Sequence, residues 1–237
     1  MISAVACPSP VILGRLCLLK NEDIDRWRFE RQLAARGVSG IVGVDEAGRG
    51  PLAGPVVAAA VILPSHWVSK GMPEDLVAIN DSKQLSETVR ATLAGRLLTT
   101  EGVRSAVAVV DSLTIDRINI LQATFQAMNE AIAALGTGLG HVLVDGNQRS
   151  SARWTQTPVI KGDSLSYSIA AASILAKTSR DRLMEEYEEV YPGYGFKDHK
   201  GYGTPAHLAA LAKLGPCPIH RRSFAPMRIA QPDLFSL

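Results

Sequence analysis

The chain has 237 residues, of which 46% are hydrophobic and 20% charged, and its formal net charge is +2. This composition excludes disordered and fibrous classes and predicts one large domain, or one domain with a small appendage. No apolar run approaches the roughly 20 residues of a membrane helix. The three cysteines lack Cys-x-x-Cys spacing, which disfavours a disulfide framework or a zinc site, so we expect a reducing, cytoplasmic location. We expect a monomer, because no heptad pattern or exposed apolar helix stands out.

A short apolar strand followed by two acids and a glycine-rich loop stands out in the first third of the chain. Residues 41–44 are predicted as the strand, Asp45 and Glu46 follow it, and the loop 47–55 contains three glycines, an arginine and two prolines. The next run, 56–63, is apolar throughout, as in a strand buried on both faces. Acids beside a loop with accessible N–H groups indicate a place where a cation and a phosphate meet. A solvated hairpin corner is the alternative.

The chain up to residue 190 is a succession of predicted helices and strands. Residues 1–38 are predicted as an N-terminal extension with an amphipathic helix from Glu22 to Ala35. The strand 141–144 is followed by Asp145, and a short strand at 158–160 precedes Asp163. The other predicted elements are a helix over 87–98 with Ser86 as N-cap, a strand over 103–110, and helices over 115–135 and 165–190.

The C-terminal part is basic. A helix is predicted from Pro205 to Leu214, with Thr204 as its N-cap. Between residues 191 and 230 the sequence has six lysines and arginines and three histidines, and Asp198 is the single acid. This distribution favours a polyanionic partner. A solvated positive surface is the alternative.

Four carboxylates share one placement at the ends of predicted strands. In an α/β sheet such ends can lie together, and a cluster of carboxylates is stable only when it is protonated or bridged by cations. Oxygen ligands suit Mg²⁺ or Mn²⁺, and two such ions can support phosphodiester cleavage. Taken singly, each acid also has a structural interpretation as a turn residue or a helix cap. The four are Asp45, Glu46, Asp145 and Asp163.

The motifs over residues 38–228 resemble, in order, those of the ribonuclease HII family. The opening signature is Asp45-Glu46-Ala47-Gly48-Arg49-Gly50-Pro51 and continues to Pro55. The sister family, ribonuclease HIII, has a serine after the acidic pair, where this chain has Ala47. The later motifs lie at 81–86, 144–146, 161–163, 172–181, 194–204 and 220–224.

This resemblance implies an RNase H-like α/β fold, with a mixed five-stranded sheet flanked by helices and a helical C-terminal extension. It divides the chain into the extension 1–38, a catalytic domain 39–190, a helical, basic substrate-binding part 191–230 and a tail 231–237. It implies endonucleolytic hydrolysis 5′ of ribonucleotides in RNA/DNA hybrids and in duplex DNA, leaving 3′-hydroxyl and 5′-phosphate ends. The four carboxylates would bind two Mg²⁺ or Mn²⁺ ions.

The resemblance also assigns substrate contacts. The loop Gly48, Arg49 and Gly50 would sense the ribose 2′-hydroxyl, and Tyr202, rather than Tyr194, would stack on the sugar or base beside the cut. Phosphate contacts, or orientation of the acids, would fall to Lys83, Lys177 and Arg180.

The last seven residues form a separate motif. Gln231, Leu234 and Phe235 are spaced as in the peptide that binds the bacterial sliding clamp, in which two apolar anchors enter a preformed groove. An ordinary frayed terminus is the alternative. Two competing hypotheses remain for the whole chain. It could be another RNase H-like nuclease, such as a junction resolvase, or a non-catalytic nucleic-acid binder. Neither of these functions needs a sensor for the 2′-hydroxyl.

Overall fold

A mixed five-stranded sheet forms the centre of the computed structural model, which describes residues 24–79, 82–147 and 154–227. The strand order is β3-β2-β1-β4-β5. β1 pairs antiparallel with β2 and parallel with β4, so the sheet changes from antiparallel to parallel at β1. The strands are β1 (Ile41–Ala47), β2 (Val56–Ile62), β3 (Arg104–Val110), β4 (His141–Asp145) and β5 (Gln156–Val159).

Helices cover both faces of this sheet. α7 and α3 lie on one face and α5 on the other, and every residue of β2 is buried between them, as its apolar sequence predicts. The helices are α1 (Arg28–Ala34), α2 (Trp67–Lys70), α3 (Glu87–Thr99), α4 (Ser112–Ile118), α5 (Ile120–Ala134), α6 (Gly162–Leu165), α7 (Tyr167–Val190), α8 (Phe196–His199) and α9 (Pro205–Leu214). Within the described residues, none of these helices is long and apolar enough to cross a membrane.

A glycine lets α7 approach the centre of the sheet closely. A Cβ atom on Gly43 would lie 2.1 Å from the backbone carbon of Ser168, so no side chain fits at this position of β1. The first half of α7 is correspondingly small and buried against β1 and β2. The packing sets the height of α7 above the ends of β1 and β4, where the acids lie.

The predicted strands are confirmed, with a change at β5, which spans Gln156–Val159 rather than 158–160, and a change at β1. The strand continues through both acids to Ala47, whereas the sequence predicts its end at Val44. The physical reason is that β1 has two neighbours: its parallel pairing with β4 ends at Val44, but its antiparallel pairing with β2 continues to Ala47. Asp45 and Glu46 are therefore held by a strand rather than by a turn.

Two predicted long helices are each broken, and both breaks are at capping residues. The helix predicted over 115–135 is divided at Asn119, whose φ of 67° is left-handed and whose side chain accepts hydrogen bonds from the next helix. The prediction over 165–190 is corrected at Ser166, which caps α7 after the short helix α6. In both cases a polar side chain satisfies N–H groups that a continuous helix would use itself.

The helix predicted from Glu22 to Ala35 begins only at Arg28 in the described chain, and it is part of the main body. Trp27 and Leu33 are buried in the two apolar clusters that α7 also enters. The buried carboxylate of Glu30 accepts hydrogen bonds from the Ser166 hydroxyl at 2.6 Å and from the Ser168 N–H at 3.1 Å. This part of the extension therefore helps to fix the start of α7.

Candidate active site

Asp45 and Asp145 lie side by side at the ends of adjacent parallel strands. Val44 is paired with Val144, so the next residue of each strand is an aspartate. Because side chains alternate along a strand, both carboxylates face α7. The Asp145 Oδ1 accepts a hydrogen bond of 2.7 Å from the N–H of Gly162, the first residue of α6.

Glu46 and Asp163 complete the set of predicted acids. Glu46 points to the opposite face of β1 from Asp45 and contacts Arg49, whose Nη1 lies 3.4 Å from Oε1. Asp163 is buried in α6, directly after the residue that donates to Asp145. Its Oδ2 lies 3.9 Å from the Lys83 Nζ. The structure thus brings three distant segments of the chain to one edge of the sheet.

Burial and mutual repulsion disfavour the ionised form of two of these acids. Burial raises the pKa of Asp45 well above its usual range, and the charges of Glu46 and Asp145 raise it further. The pKa of Glu46 is also raised, mainly by burial, while Arg49 opposes the shift. The Ser173 hydroxyl and the Glu46 N–H act in the opposite direction on the pKa of Asp45 by hydrogen bonding to its carboxylate. Such a cluster is stabilised by any cation that binds it.

The donor set fits a hard divalent ion in its chemistry. All four side chains supply carboxylate oxygens, which Mg²⁺ and Mn²⁺ prefer, and two of them have pKa values raised by burial and mutual repulsion. Among residues 24–79, 82–147 and 154–227, no three His, Cys, Asp or Glu side chains are already arranged around one ion. Mg²⁺ is commonly held by one or two carboxylates together with water and substrate phosphate.

Two buried arginines hold the glycine-rich loop beside these acids. Arg221 is fully buried and donates to four backbone carbonyls of the loop, with distances of 2.6 Å to Gly48 O and 3.0 Å to Arg49 O. Burial and the nearby charge of Arg180 lower the pKa of Arg221 to about 9. In the described part of the chain neither guanidinium forms an ion pair with a carboxylate. The peptide carbonyls therefore take the place of acidic partners.

The orientation of these carbonyls directs the loop N–H groups outward. In a trans peptide the C=O and the following N–H point in opposite directions. Because Gly48 O and Arg49 O face the Arg221 guanidinium, the N–H groups of Arg49 and Gly50 point away from it. Neither N–H has a hydrogen-bond partner within the described residues, and both residues are exposed. The loop presents two donors for an incoming oxygen.

Arg180, predicted to contact phosphate or to orient the acids, lines the cavity beside this loop and also supports the loop. It is buried, and its guanidinium donates to the carbonyls of Pro55, Ala53 and Lys200 at 2.9–3.1 Å. Gly48 has a φ of +97°, and a Cβ there would lie 2.1 Å from the Arg180 Nε. Glycine is required at this position because the loop lies directly on the arginine.

A cavity of about 230 Å³ lies between the loop, Glu46 and the start of the C-terminal part. Lys177 lines it and forms an ion pair of 2.5 Å with Asp181, and Lys83 lines it with an exposed side chain. The ring of Tyr202 also lines it, being 47% exposed, and a Cβ on Gly50 would lie 3.5 Å from that ring. Tyr194 is buried, and its hydroxyl donates to Gly215 O at 2.7 Å.

Sequence reasoning missed several supports of this site. The Ser82 and Ser173 hydroxyls are 2.8 Å apart and buried, and they connect the segment that carries Lys83 to the side chain that bonds Asp45. Arg221, His207 and His220 belong to the basic part assigned to a polyanion, yet all three are buried. Nothing local in the sequence distinguishes the buried Arg221 from the exposed Arg222, since both lie in the same family motif.

The mixed sheet, with acids at the ends of adjacent strands and a loop of outward N–H groups beside them, defines a nuclease of the ribonuclease H class. The model of the ribonuclease HII family matches residues 42–227. The chain belongs to the ribonuclease HII family and is an endoribonuclease of the ribonuclease H type.

Individual relatives agree with this assignment. Ribonuclease HII of Geobacter metallireducens is 51% identical over 84% of this chain and 89% of its own length. The ribonuclease H2 structure from Pyrococcus horikoshii is 26% identical, with a TM-score of 0.65 over 80% of this chain and 95% of that one. A further match is the structure of the complex of PCNA with RNase HII from Archaeoglobus fulgidus. It is 24% identical, with a TM-score of 0.63 over 82% of this chain and 98% of that one, and this likeness shows the shared fold.

Proposed function

We propose that this enzyme hydrolyses the phosphodiester on the 5′ side of ribonucleotides, both in RNA/DNA hybrids and at single ribonucleotides in duplex DNA. The products are 3′-hydroxyl and 5′-phosphate ends, and the role is ribonucleotide removal during DNA replication and repair in the cytoplasm. The observation that carries the proposal is the pair of unpartnered N–H groups at Arg49 and Gly50, in the same cavity as Glu46. Donors placed beside the acids can read a 2′-hydroxyl next to the bond that is cut.

In this proposal the four carboxylates Asp45, Glu46, Asp145 and Asp163 hold two Mg²⁺ or Mn²⁺ ions. When bound, the ions supply activation of a water and stabilisation of the leaving oxygen. The chain's own residues hold the substrate: Gly48, Arg49 and Gly50 meet the ribose, and Tyr202 stacks beside it. Lys83 and Lys177 line the cavity as phosphate contacts, while Arg180 and Arg221 keep the loop in place.

The first prediction concerns substrate choice. With Mg²⁺ or Mn²⁺, a DNA duplex containing one ribonucleotide is expected to be cut 5′ of it, and the matched all-DNA duplex about 10⁴-fold more slowly. The reason is that a site built to bond a hydroxyl rejects the analogue that lacks it by roughly this factor. Mapping the cut on end-labelled strands measures both rates, and a chelator is expected to stop cleavage.

Two outcomes would favour the competing functions. Equal cleavage of the all-DNA duplex, or preferred cleavage of a four-way DNA junction, would identify a nuclease without a ribose sensor. Tight binding of every duplex with no cleavage in either metal would identify a nucleic-acid binder.

The proposed tail motif, Gln231, Leu234 and Phe235, lies outside the described residues. We propose from its sequence that it binds the bacterial DNA sliding clamp, and the solved complex of the Archaeoglobus fulgidus RNase HII with PCNA is a case of such a pairing for that protein. Two apolar anchors in a groove are typical of short peptide recognition.

The second prediction follows from this motif. Replacing Leu234 and Phe235 together by alanine is expected to weaken binding to the clamp at least about tenfold, since anchors of this kind each contribute more than 1 kcal/mol. Cleavage of a short duplex without the clamp should stay within about twofold of wild type. Ser236→Ala is the matched control. Unchanged clamp affinity in the double variant, measured by calorimetry, would exclude the tail as the binding site.

A further inference from the structure

A buried chain of hydrogen bonds connects Cys217 to the backbone of Tyr202 through two histidines. The N–H of Cys217 lies 3.0 Å from the His220 Nδ1. The Nε2 atoms of His220 and His207 are 3.1 Å apart, and the His207 Nδ1 is 2.9 Å from Tyr202 O. The His220 and His207 rings are buried, with 2% and 0% exposure, and neither reaches the cavity that Glu46 and the loop line.

The bond to Tyr202 O fixes the direction of the other bonds when both rings are neutral. Tyr202 O only accepts, so the His207 Nδ1 carries a hydrogen, and its Nε2 is then the acceptor in a neutral ring. The His220 Nε2 therefore carries the hydrogen of the central bond and donates to His207. In a neutral ring the His220 Nδ1 then accepts from the Cys217 N–H at 3.0 Å, and Cys217 O and Sγ also lie near this atom, at 3.3 Å and 3.1 Å. Burial favours these neutral rings, since it lowers the pKa of both histidines.

Tyr202, at the end of this series of hydrogen bonds, supplies the exposed aromatic ring of the candidate site. The Tyr202 carbonyl also accepts from the Thr204 N–H at 2.8 Å, and the Tyr202 N–H donates to His199 O at 2.9 Å. The preceding Gly201 carbonyl accepts from the Leu52 N–H of the loop at 2.8 Å. The backbone of Tyr202 is thus fixed on several sides, while its ring remains exposed beside Gly50.

We propose that His207 and His220 are positioning residues for cleavage, which hold Tyr202 against the Gly48–Gly50 loop through its backbone carbonyl. They contact no reacting atom and act only through the placement of the tyrosine ring. The inference rests on the proposed function, because it requires Tyr202 to stack on the substrate.

Two substitutions at His207 separate its two hydrogen bonds. In His207→Asn the amide occupies the position of Nδ1 and can donate to Tyr202 O, whereas in His207→Gln it occupies the position of Nε2. We expect His207→Asn to keep kcat/KM on a single-ribonucleotide duplex within about threefold of wild type, and His207→Gln to lower it about tenfold, as the loss of one buried hydrogen bond predicts. If His207→Gln does not fold, His220→Asn replaces it, since it keeps the acceptor for Cys217 and loses the donor to His207.

The decisive measurement combines His207→Gln with Tyr202→Ala. The alanine variant alone is expected to lower kcat/KM about tenfold to a hundredfold, through lost stacking. In that background His207→Gln should change kcat/KM by less than twofold, because the residue through which it acts is gone. An equal loss in both backgrounds would show a general structural role and overturn the inference. Full activity of Tyr202→Ala would overturn the role of the tyrosine, and with it that of the histidines, while selective cleavage at ribonucleotides would still stand.

Discussion

Asp45→Asn is expected to lower the cleavage rate about a thousandfold while raising the stability of the metal-free protein. The carboxylate lies beside Asp145 at the ends of adjacent strands, and its charge is proposed to hold the metal. An ion at such a site contributes several kcal/mol to the stabilisation of the transition state, and each 1.36 kcal/mol corresponds to a factor of ten in rate. The amide keeps an oxygen but loses the charge.

The gain in stability has a separate cause. Burial and the charges of Glu46 and Asp145 disfavour an ionised Asp45 in the folded chain. Asparagine removes this repulsion, and its Oδ1 can still accept the 2.7 Å hydrogen bond from the Glu46 N–H. We expect the free energy of unfolding to rise by about 1 kcal/mol, as is common when a functional site is relieved of strain. For a chain of this size the melting temperature would rise by about 2–4 °C.

Thermal unfolding in the presence of a chelator, together with single-turnover cleavage, measures both effects. Asp198→Asn is the matched control, since Asp198 is an exposed aspartate in α8, away from the candidate site. It should leave rate and melting temperature unchanged. Normal cleavage by Asp45→Asn would remove Asp45 from the proposed metal ligands, and a large loss of stability would contradict the repulsion inferred from its raised pKa.

Arg221→Lys is expected to show the largest loss of stability among the substitutions considered. The guanidinium donates to four carbonyls of the loop at 2.6–3.1 Å. Lysine retains the charge but cannot reproduce the planar fork, so several buried carbonyls lose their donor, each at a cost of about 1–3 kcal/mol. These costs are not additive, and we expect about 3 kcal/mol in total, or a fall of about 6–12 °C in melting temperature.

The same change is expected to impair the reading of the ribose. Once the carbonyls of Gly48 and Arg49 are no longer fixed, the N–H groups of Arg49 and Gly50 lose their outward direction. At a temperature where the variant remains folded, we expect about tenfold slower cleavage at a single ribonucleotide. Arg222→Lys, at the exposed neighbour, should change stability by less than about 0.5 kcal/mol. Equal effects of the two substitutions would contradict the assigned role of Arg221.

Local patterns determined the elements that carry the acids. An unbroken apolar run indicates β2 because a strand covered on both faces has no polar side. Ser86 and Thr204 were predictable as N-caps because the capping bond is local and is made to an N–H three residues ahead. The structure confirms both capping bonds. The breaks at Asn119 and Ser166 escaped the same reasoning, since apolar periodicity continues across both caps.

By itself, the sequence predicted which carboxylates and which glycine-rich loop form the candidate site, because each lies at a strand end or in a motif with its own spacing. It did not determine what lies beneath them. The sequence assigns His207, His220 and Arg221 to a basic part and Arg180 to the substrate or the acids, and the tertiary structure buries all four. The guanidiniums of Arg180 and Arg221 are buried because carbonyls from distant segments converge on them, and that convergence exists only after the sheet, α7 and the C-terminal part have packed together.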